Sequence, residues 1–371
     1  MSVFLICPDK FKNCLSSLEV IHSVKKGLQQ CKINHEILTC PMADGGEGSL
    51  DVIYNSLGGQ FIYENVCDPL LRPISARWLW IPELKKAYIE MAESSGLSLL
   101  KVEERNPLYT SSYGLGEIII RAINKGCKEI MICVGGSATN DGGTGFLSAM
   151  GVLFSDINGN KIEPKGINLG SIHDFDLKQL ENKIKNVKFK VLVDVGSTFT
   201  GINGATKVFG SQKGADEKDI KVLEEAMCSL SSLYKAYCGH DLNKINGSGA
   251  AGGVSGACFA ILNAEIESGA DHMIGLSDLE EKIKQADWIV TGEGKLDEQT
   301  LSGKIVKKIV DISLKNKKRI LIIAGDVENQ AEINKELHAE IINLRTDNSS
   351  GDIKKETERA IESNVRMFFT T

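Results

Sequence analysis

The chain has 371 residues, more than one ordinary core accommodates, and this length points to two domains. With 42% apolar and 25% charged residues, it has the composition of a folded globular protein and excludes long disorder. A formal charge of −6, with Lys and Arg scattered along the chain, argues against a general nucleic-acid surface. An anionic ligand would need locally placed cations.

The first element is a short buried strand, "VFLIC" (3–7), followed by a helix over 16–31 and a second strand, "HEILTC" (35–40). The apolar run at the start is five residues long and ends in proline and charge, which fits a strand and not a signal peptide. "GEGSLDVIYNSLG" opens another helix. The texture then changes: "QFIYENVCDPL", "RPISARWLWI" and "KAYIEMA" follow one another with turn-length gaps and read as antiparallel strands. Next come strands at "EIMICV" (129–134) and "KFKVLVDV" (188–195) and a long helix over 216–238. Toward the C-terminus "WIVTG" (288–292), "RILIIAG" (319–325) and "EIINL" (340–344) are apolar strands separated by helix-length segments, the pattern of a parallel sheet covered on both faces.

The expected fold is therefore α/β. A Rossmann-like doubly wound parallel sheet is built from residues 1–61 plus 261–371, with a mixed α/β domain inserted over 62–260 and an active site in the interdomain cleft. No run approaches the ~20 apolar residues of a membrane span, so no membrane partner is expected and the cytoplasm is the expected location. The ten cysteines lie mostly in apolar runs, with no C-x-x-C pair, and read as reduced thiols.

Five polar, glycine-rich segments fall where predicted strands end: "PDKFK" (8–12), "PMADGGEG" (41–48), "GGSATNDGG" (135–143), "VDVGSTFTG" (193–201) and "TGEGKLDEQT" (291–300). Ligands of open α/β sheets bind beyond the carboxyl ends of strands. Turns and helix caps use the same residue types, but five such loops together favour a common binding function. In 135–143 the glycines allow backbone N–H groups to approach a phosphate, and Ser137 and Thr139 add hydroxyls. Asp141 repels a bare phosphate, so the loop suits a metal-bound nucleotide or a polyhydroxylated anion. "ADGGEG" repeats the combination with Asp44 and Glu47.

No G-x-x-x-x-G-K-[ST] P-loop is present. The G-x-G-x-x-G at Gly247, Gly249 and Gly252 follows a polar stretch instead of a strand, which weakens a nicotinamide dinucleotide reading. The six histidines are dispersed, without zinc-site spacing, and no G-x-S-x-G elbow supports a hydrolase. Carboxylates with nearby lysines fit phosphoryl transfer better.

Taken in order, "PDKFKNCLSSLE", "CPMADGGEGSLD", "IEMAESSGL", "NPLYTSSYGLGE", "GGSATNDGGTGFLSAMG", "FGSQKGA", "GSGAAGG" and "TGEGKLDEQTLSGK" make the chain resemble the glycerate kinases of the bacterial two-domain type over essentially its whole length. The resemblance implies an ATP:D-glycerate phosphotransferase that uses Mg²⁺ and forms 2-phosphoglycerate, with small-molecule partners only. Kinases of another hydroxy acid, a 3-phosphoglycerate-forming enzyme and a non-catalytic sensor are the alternatives, and self-association is left open. The chain departs from the family pattern at Lys10, Asn13, Lys295 and residues 196–201.

Within that resemblance Asp194 is expected to be the base that orients the glycerate hydroxyl, with Lys12 and Asp44 as further catalytic groups and Asp44 or Asp194 as the metal ligand. Substrate and phosphate contacts are expected from Asp9, Gly45, Gly46, Glu47, Gly135, Gly136, Ser137, Thr139, Asn140, Asp141, Lys213, Gly252, Gly253, Glu293, Lys295, Asp297 and Lys304.

Overall fold

In the computed structural model the chain opens with β1 (Ser2–Ile6) and β2 (His35–Thr39), then runs through β3 (Gln60–Cys67), β4 (Pro73–Ile81), β5 (Lys86–Glu90), β6 (Glu129–Cys133), β7 (Leu153–Ser155), β8 (Asp174–Asp176), β9 (Lys188–Val193) and β10 (Glu265–Ser268). It returns through β11 (Trp288–Leu296), β12 (Arg319–Val327) and β13 (Glu340–Asn343). The structure describes residues 1–32, 34–301, 304–344 and 352–370. Ser302 and Gly303 of the last glycine-rich motif lie outside the described residues.

Two units are distinct: Met1–Asp44 with Asp51–Ser56 and Ala270–Thr371, and Gly45–Leu50 with Leu57–Gly269. The first holds a five-stranded sheet, ordered β13-β12-β11-β1-β2 and parallel throughout. Its strands are short runs of branched apolar residues, and Phe4, Ile6, Val290, Leu321 and Ile323 are almost fully buried, as strands covered on both faces require. The helix Ser17–Gln29 starts at a capping box between Ser16 and Glu19, and places Val20, Ile21, Val24 and Leu28 in the same core. Strand order reverses between β1 and β11. Loops at that switch point are left uncovered by crossovers and are where such sheets bind ligands.

The second unit holds a six-stranded sheet ordered β10-β9-β6-β5-β4-β3 and a two-stranded β7-β8 pair. β3, β4 and β5 are antiparallel neighbours, while β5, β6, β9 and β10 run parallel. Parallel pairing brings the carboxyl ends of β5, β6, β9 and β10 to one edge, so Glu90, the 135–143 loop, Asp194 and Ser268 emerge on the same side. A core including Trp78, Ile89, Ile132, Phe146, Val191 and Met227 supports that edge from beneath. The helix Glu217–Cys238 begins at Asp216, whose carboxylate accepts from the backbone N–H groups of Lys218 and Asp219. None of the ten cysteines is joined in a disulfide.

Candidate active site

In the first unit the switch point gathers charge. Asp9 follows β1, and its backbone N–H donates to the carbonyl of Gly292 on β11 (2.8 Å). Glu293, the next residue on β11, accepts from the Thr300 hydroxyl at 2.7 Å. Thr300 in turn is held by Asp297, which accepts from its backbone N–H at 3.3 Å. Burial pushes the Glu293 carboxyl up to about 8, with the Asp9 charge adding to the effect against the Thr300 hydrogen bond. Asp9 is pushed up to about 7, chiefly by burial; Lys10 opposes the rise and Asp44 reinforces it. Lys10 Nζ lies 2.9 Å from Asp44 Oδ1, and Lys304 acts on both raised carboxyls in the opposite sense to burial. Gly294 permits this packing, because a Cβ there would come within 3.1 Å of the Lys12 backbone nitrogen.

In the second unit the 135–143 loop surrounds a buried amine. Lys213 is 5% exposed, and its Nζ donates to Ser137 Oγ (2.9 Å) and to the Thr139 carbonyl (2.6 Å). Burial lowers its pKa to about 7, while the Asp141 charge pulls the other way. Asp141 is fully buried, and both of its oxygens are occupied. One accepts from the Ser112 N–H and hydroxyl (2.7 Å each) and from the Gly145 N–H (3.2 Å); the other accepts from the Gly143 N–H at 3.1 Å. Burial raises the Asp141 pKa against those four donors. Asn140 donates through Nδ2 to Thr206 Oγ1 at 3.1 Å, and its Oδ1 and the Thr139 hydroxyl are buried without a partner among the described residues.

Glycine sets the loop contacts. A Cβ on Gly135 would sit 2.5 Å from Gly46 Cα, so the 135–143 and 45–46 segments touch backbone to backbone. Gly252 has φ +66, and a Cβ there would lie 2.1 Å from the Thr139 carbonyl oxygen. Its own carbonyl accepts from the Gly142 N–H at 2.9 Å.

The expected residues thus fall into two groups. Asp9, Asp44, Glu293, Asp297 and Lys304 belong to the first-unit cluster, whereas Ser137, Thr139, Asn140, Asp141, Lys213 and the glycines at 45, 46, 135, 136, 252 and 253 belong to the second. Glu47 accepts from Ser98 at 2.7 Å, and Asp194, half-buried after β9, accepts from Ser268 at 3.0 Å. Lys12 is exposed. Lys295 is also exposed and pairs with Glu328 at 2.5 Å.

Sequence reasoning named Lys10 only as a departure from the family pattern and did not single out the other groups that hold these residues in place. Ser112 and Ser268 fix Asp141 and Asp194, Thr300 fixes Glu293, and Lys10 engages Asp44. Glu90 was also missed: it is 2% exposed and accepts from the N–H groups of Gly48 (2.9 Å) and Leu50 (3.3 Å) at the end of the glycine-rich 45–48 segment. It ends the apolar run "KAYIE" just as Asp194 follows "KFKVLV", so the signal that marked Asp194 could have found it.

Hard oxygen donors are present for a divalent cation, although no three His, Cys, Asp or Glu side chains gather to hold one among the described residues. That donor set fits Mg²⁺ that keeps phosphate and water oxygens and takes one or two carboxylates, not an all-protein cage. No helix among the described residues is long and apolar enough to cross a membrane.

The model of the glycerate kinase family matches residues 4–370. A glycerate kinase of Bacillus cereus is 35% identical over 98% of this chain and 95% of its own length. A glycerate 2-kinase of Escherichia coli is 36% identical, over 89% of this chain and 86% of its own. A crystal structure named for glycerate kinase 2 of Salmonella typhimurium LT2 superposes with a TM-score of 0.79 at 31% identity, covering 99% of this chain and 97% of the other. A family match over residues 4–370, together with relatives about 35% identical over nearly the whole chain, establishes that the chain belongs to the glycerate kinase family, a family of kinases.

Proposed function

We propose that the protein transfers the γ-phosphoryl group of ATP to the 2-hydroxyl of D-glycerate, forming 2-phosphoglycerate and ADP. The observation that carries the reading is the second-unit cluster. There a buried amine, serine and threonine hydroxyls and close-packed glycine backbone converge on one loop, beside the strand end that bears Asp194. This is a donor set for a small hydroxylated anion. The name of the Escherichia coli relative, glycerate 2-kinase, supports the 2-hydroxyl as acceptor.

Asp194 orients the acceptor hydroxyl and receives its proton as the oxygen attacks, with Ser268 holding the carboxylate. The nucleotide phosphates are assigned to the switch-point loops of the first unit, where Lys10 and Lys304 act on Asp9, Asp44 and Glu293, and the exposed Lys12 is assigned to the transferring phosphate. Mg²⁺ bound with ATP would neutralise charge on the β- and γ-phosphates, held by Asp44 or Asp194. Because positioning and charge neutralisation do most of the work in phosphoryl transfer, the residues that fix these groups matter as much as those that touch substrate.

The test is a coupled assay of ADP release from ATP and Mg²⁺ with D-glycerate, with the product identified by phosphorus NMR. The 2-isomer supports the reading in full. The 3-isomer keeps the kinase and overturns the acceptor. Turnover of another small hydroxy acid in place of glycerate overturns the substrate, and no turnover from folded protein overturns the reaction.

A further inference from the structure

The amine of Lys213 has three tetrahedral positions for protons or a lone pair. Two are directed at neutral acceptors, Ser137 Oγ and the Thr139 carbonyl, and among the described residues no third acceptor bonds to it. A buried ammonium would leave one N–H without a partner, whereas a neutral amine satisfies both of its N–H groups and keeps a lone pair. The charges around it do not change this balance. Among the described residues Asp141 is the charge that acts on Lys213, and its oxygens are taken by four other donors. Arg105, whose backbone packs against Gly214, and Glu47, beside Gly136 and bonded to Ser98, make no bond to the amine.

We propose that Lys213 is the carboxylate receptor for the small hydroxy acid and is neutral in the free protein at mildly alkaline pH, so that binding the substrate carboxylate there is coupled to uptake of one proton by its amine. This rests on the reading that the 135–143 loop holds the acceptor substrate. A carboxylate is favoured over a triphosphate because Lys213 is the one cation hydrogen-bonded within this cluster among the described residues. One buried positive charge matches a monoanion and falls short of several phosphate charges. The new proton completes the third N–H and points it at the arriving oxygen. The pKa of the free amine, about 7, makes the coupling visible in an accessible pH range.

Calorimetric titration of the whole protein with D-glycerate, in two buffers of different ionisation enthalpy, reads the protons taken up. Above a free pKa of about 7, nearly one proton should enter per glycerate at pH 8, and almost none at pH 6. Affinity for glycerate, read also as the steady-state KM, should weaken about eightfold between pH 7.5 and 8.5 while staying flat below pH 6.5. Lys213→Arg, permanently charged, and Lys213→Met, permanently neutral, should both bind without proton uptake, the second more weakly. Glycerate bound at pH 8 with no uptake in the wild type overturns the proposal and leaves the kinase reading standing. Uptake that persists in either variant overturns it too, by placing the proton elsewhere. Uptake seen with a Mg²⁺-bound non-hydrolysable ATP analogue but not with glycerate overturns the carboxylate assignment. Failure of glycerate either to bind or to be phosphorylated brings down the underlying reading and this inference with it. If both variants misfold, the wild-type comparison at pH 6 and 8 still decides.

Discussion

Lys10 Nζ meets Asp44 Oδ1 at 2.9 Å, joining the loop after β1 to the loop after β2 in the first unit. The pair is partly solvated, with side chains 18% and 27% exposed, so its worth to stability is about 1 kcal/mol or less. Its larger effect is on charge: an ammonium on Asp44 competes with any divalent cation. Lys10→Ser should therefore leave the melting temperature nearly unchanged and lower the Mg²⁺ concentration for half-maximal rate roughly threefold or more. A Mg²⁺ titration of initial rate at fixed ATP, with a thermal melt alongside, tests both halves.

Asp194→Asn should fold and lose kcat by about 100-fold or more, the range of a removed general base. Ser268→Ala removes only the hydroxyl that orients the carboxylate, so a loss of about tenfold or less is expected. Near-normal kcat in folded Asp194→Asn would sink the base assignment.

Asp141 is expected to matter for the fold more than for chemistry. Its carboxylate accepts four hydrogen bonds, from Ser112 N–H and hydroxyl and from Gly143 and Gly145 N–H, and an asparagine must turn an NH₂ group toward some of these donors. Asp141→Asn should cost about 3 kcal/mol. Its kcat per folded molecule should fall far less than that of Asp194→Asn. Denaturant unfolding combined with active-site titration separates the two effects.

Much of the architecture was readable from the chain. The apolar runs at 3–7, 35–40, 288–292 and 319–325 correspond to β1, β2, β11 and β12, and the close-spaced segments "QFIYENVC", "PISARWLWI" and "KAYIE" form the antiparallel β3, β4 and β5. Period and turn spacing carry that information locally. The glycine-rich loops were legible for the same reason, since strand ends and close backbone approach leave a compositional mark. The partners within each cluster left none. Lys10 and Asp44 are 34 positions apart, and Asp194 and Ser268 are 74 apart; only the order of strands brings them together. Burial was equally hidden: a lysine on a surface and Lys213 look alike in sequence, and so do an exposed Lys12 and a buried one.

Glu293 gives a stability test with a definite sign. Its carboxyl is raised from an ordinary 4.5 to about 8 in the folded protein, so the folded state holds its proton more tightly than the unfolded chain. The stability this contributes is fully present below pH 4.5 and is lost as pH rises through about 8. Glu293→Gln removes that loss. The variant should melt close to the wild type at pH 5 and about 3 °C or more above it at pH 9. Calorimetric melts at the two pH values decide it, and equal shifts at both would rule out the buried carboxyl as the cause.

Gly252→Ala offers a steric counterpart. With φ +66 and a Cβ 2.1 Å from the Thr139 carbonyl, alanine must displace the oxygen that Lys213 uses as an acceptor. A loss of about 2–4 kcal/mol in stability is expected, with weaker glycerate binding in whatever folds. An unchanged melt would show that the loop yields more easily than its packing implies.

The strand order of the first sheet has a consequence for biosynthesis. β1 lies between β2 and β11, and the bond from the Val3 N–H to Asp287 spans 284 residues. On the ribosome, β1 therefore emerges with one neighbour and waits for the other until most of the chain has been made, roughly 15–60 s at ordinary elongation rates. During that interval the nascent chain carries an apolar strand with one unpaired edge, a site for chaperones or for mispairing between adjacent chains on a polysome. The second unit, whose strands lie within one continuous stretch, faces no such wait and can complete its sheet while the C-terminal strands of the first are still unmade.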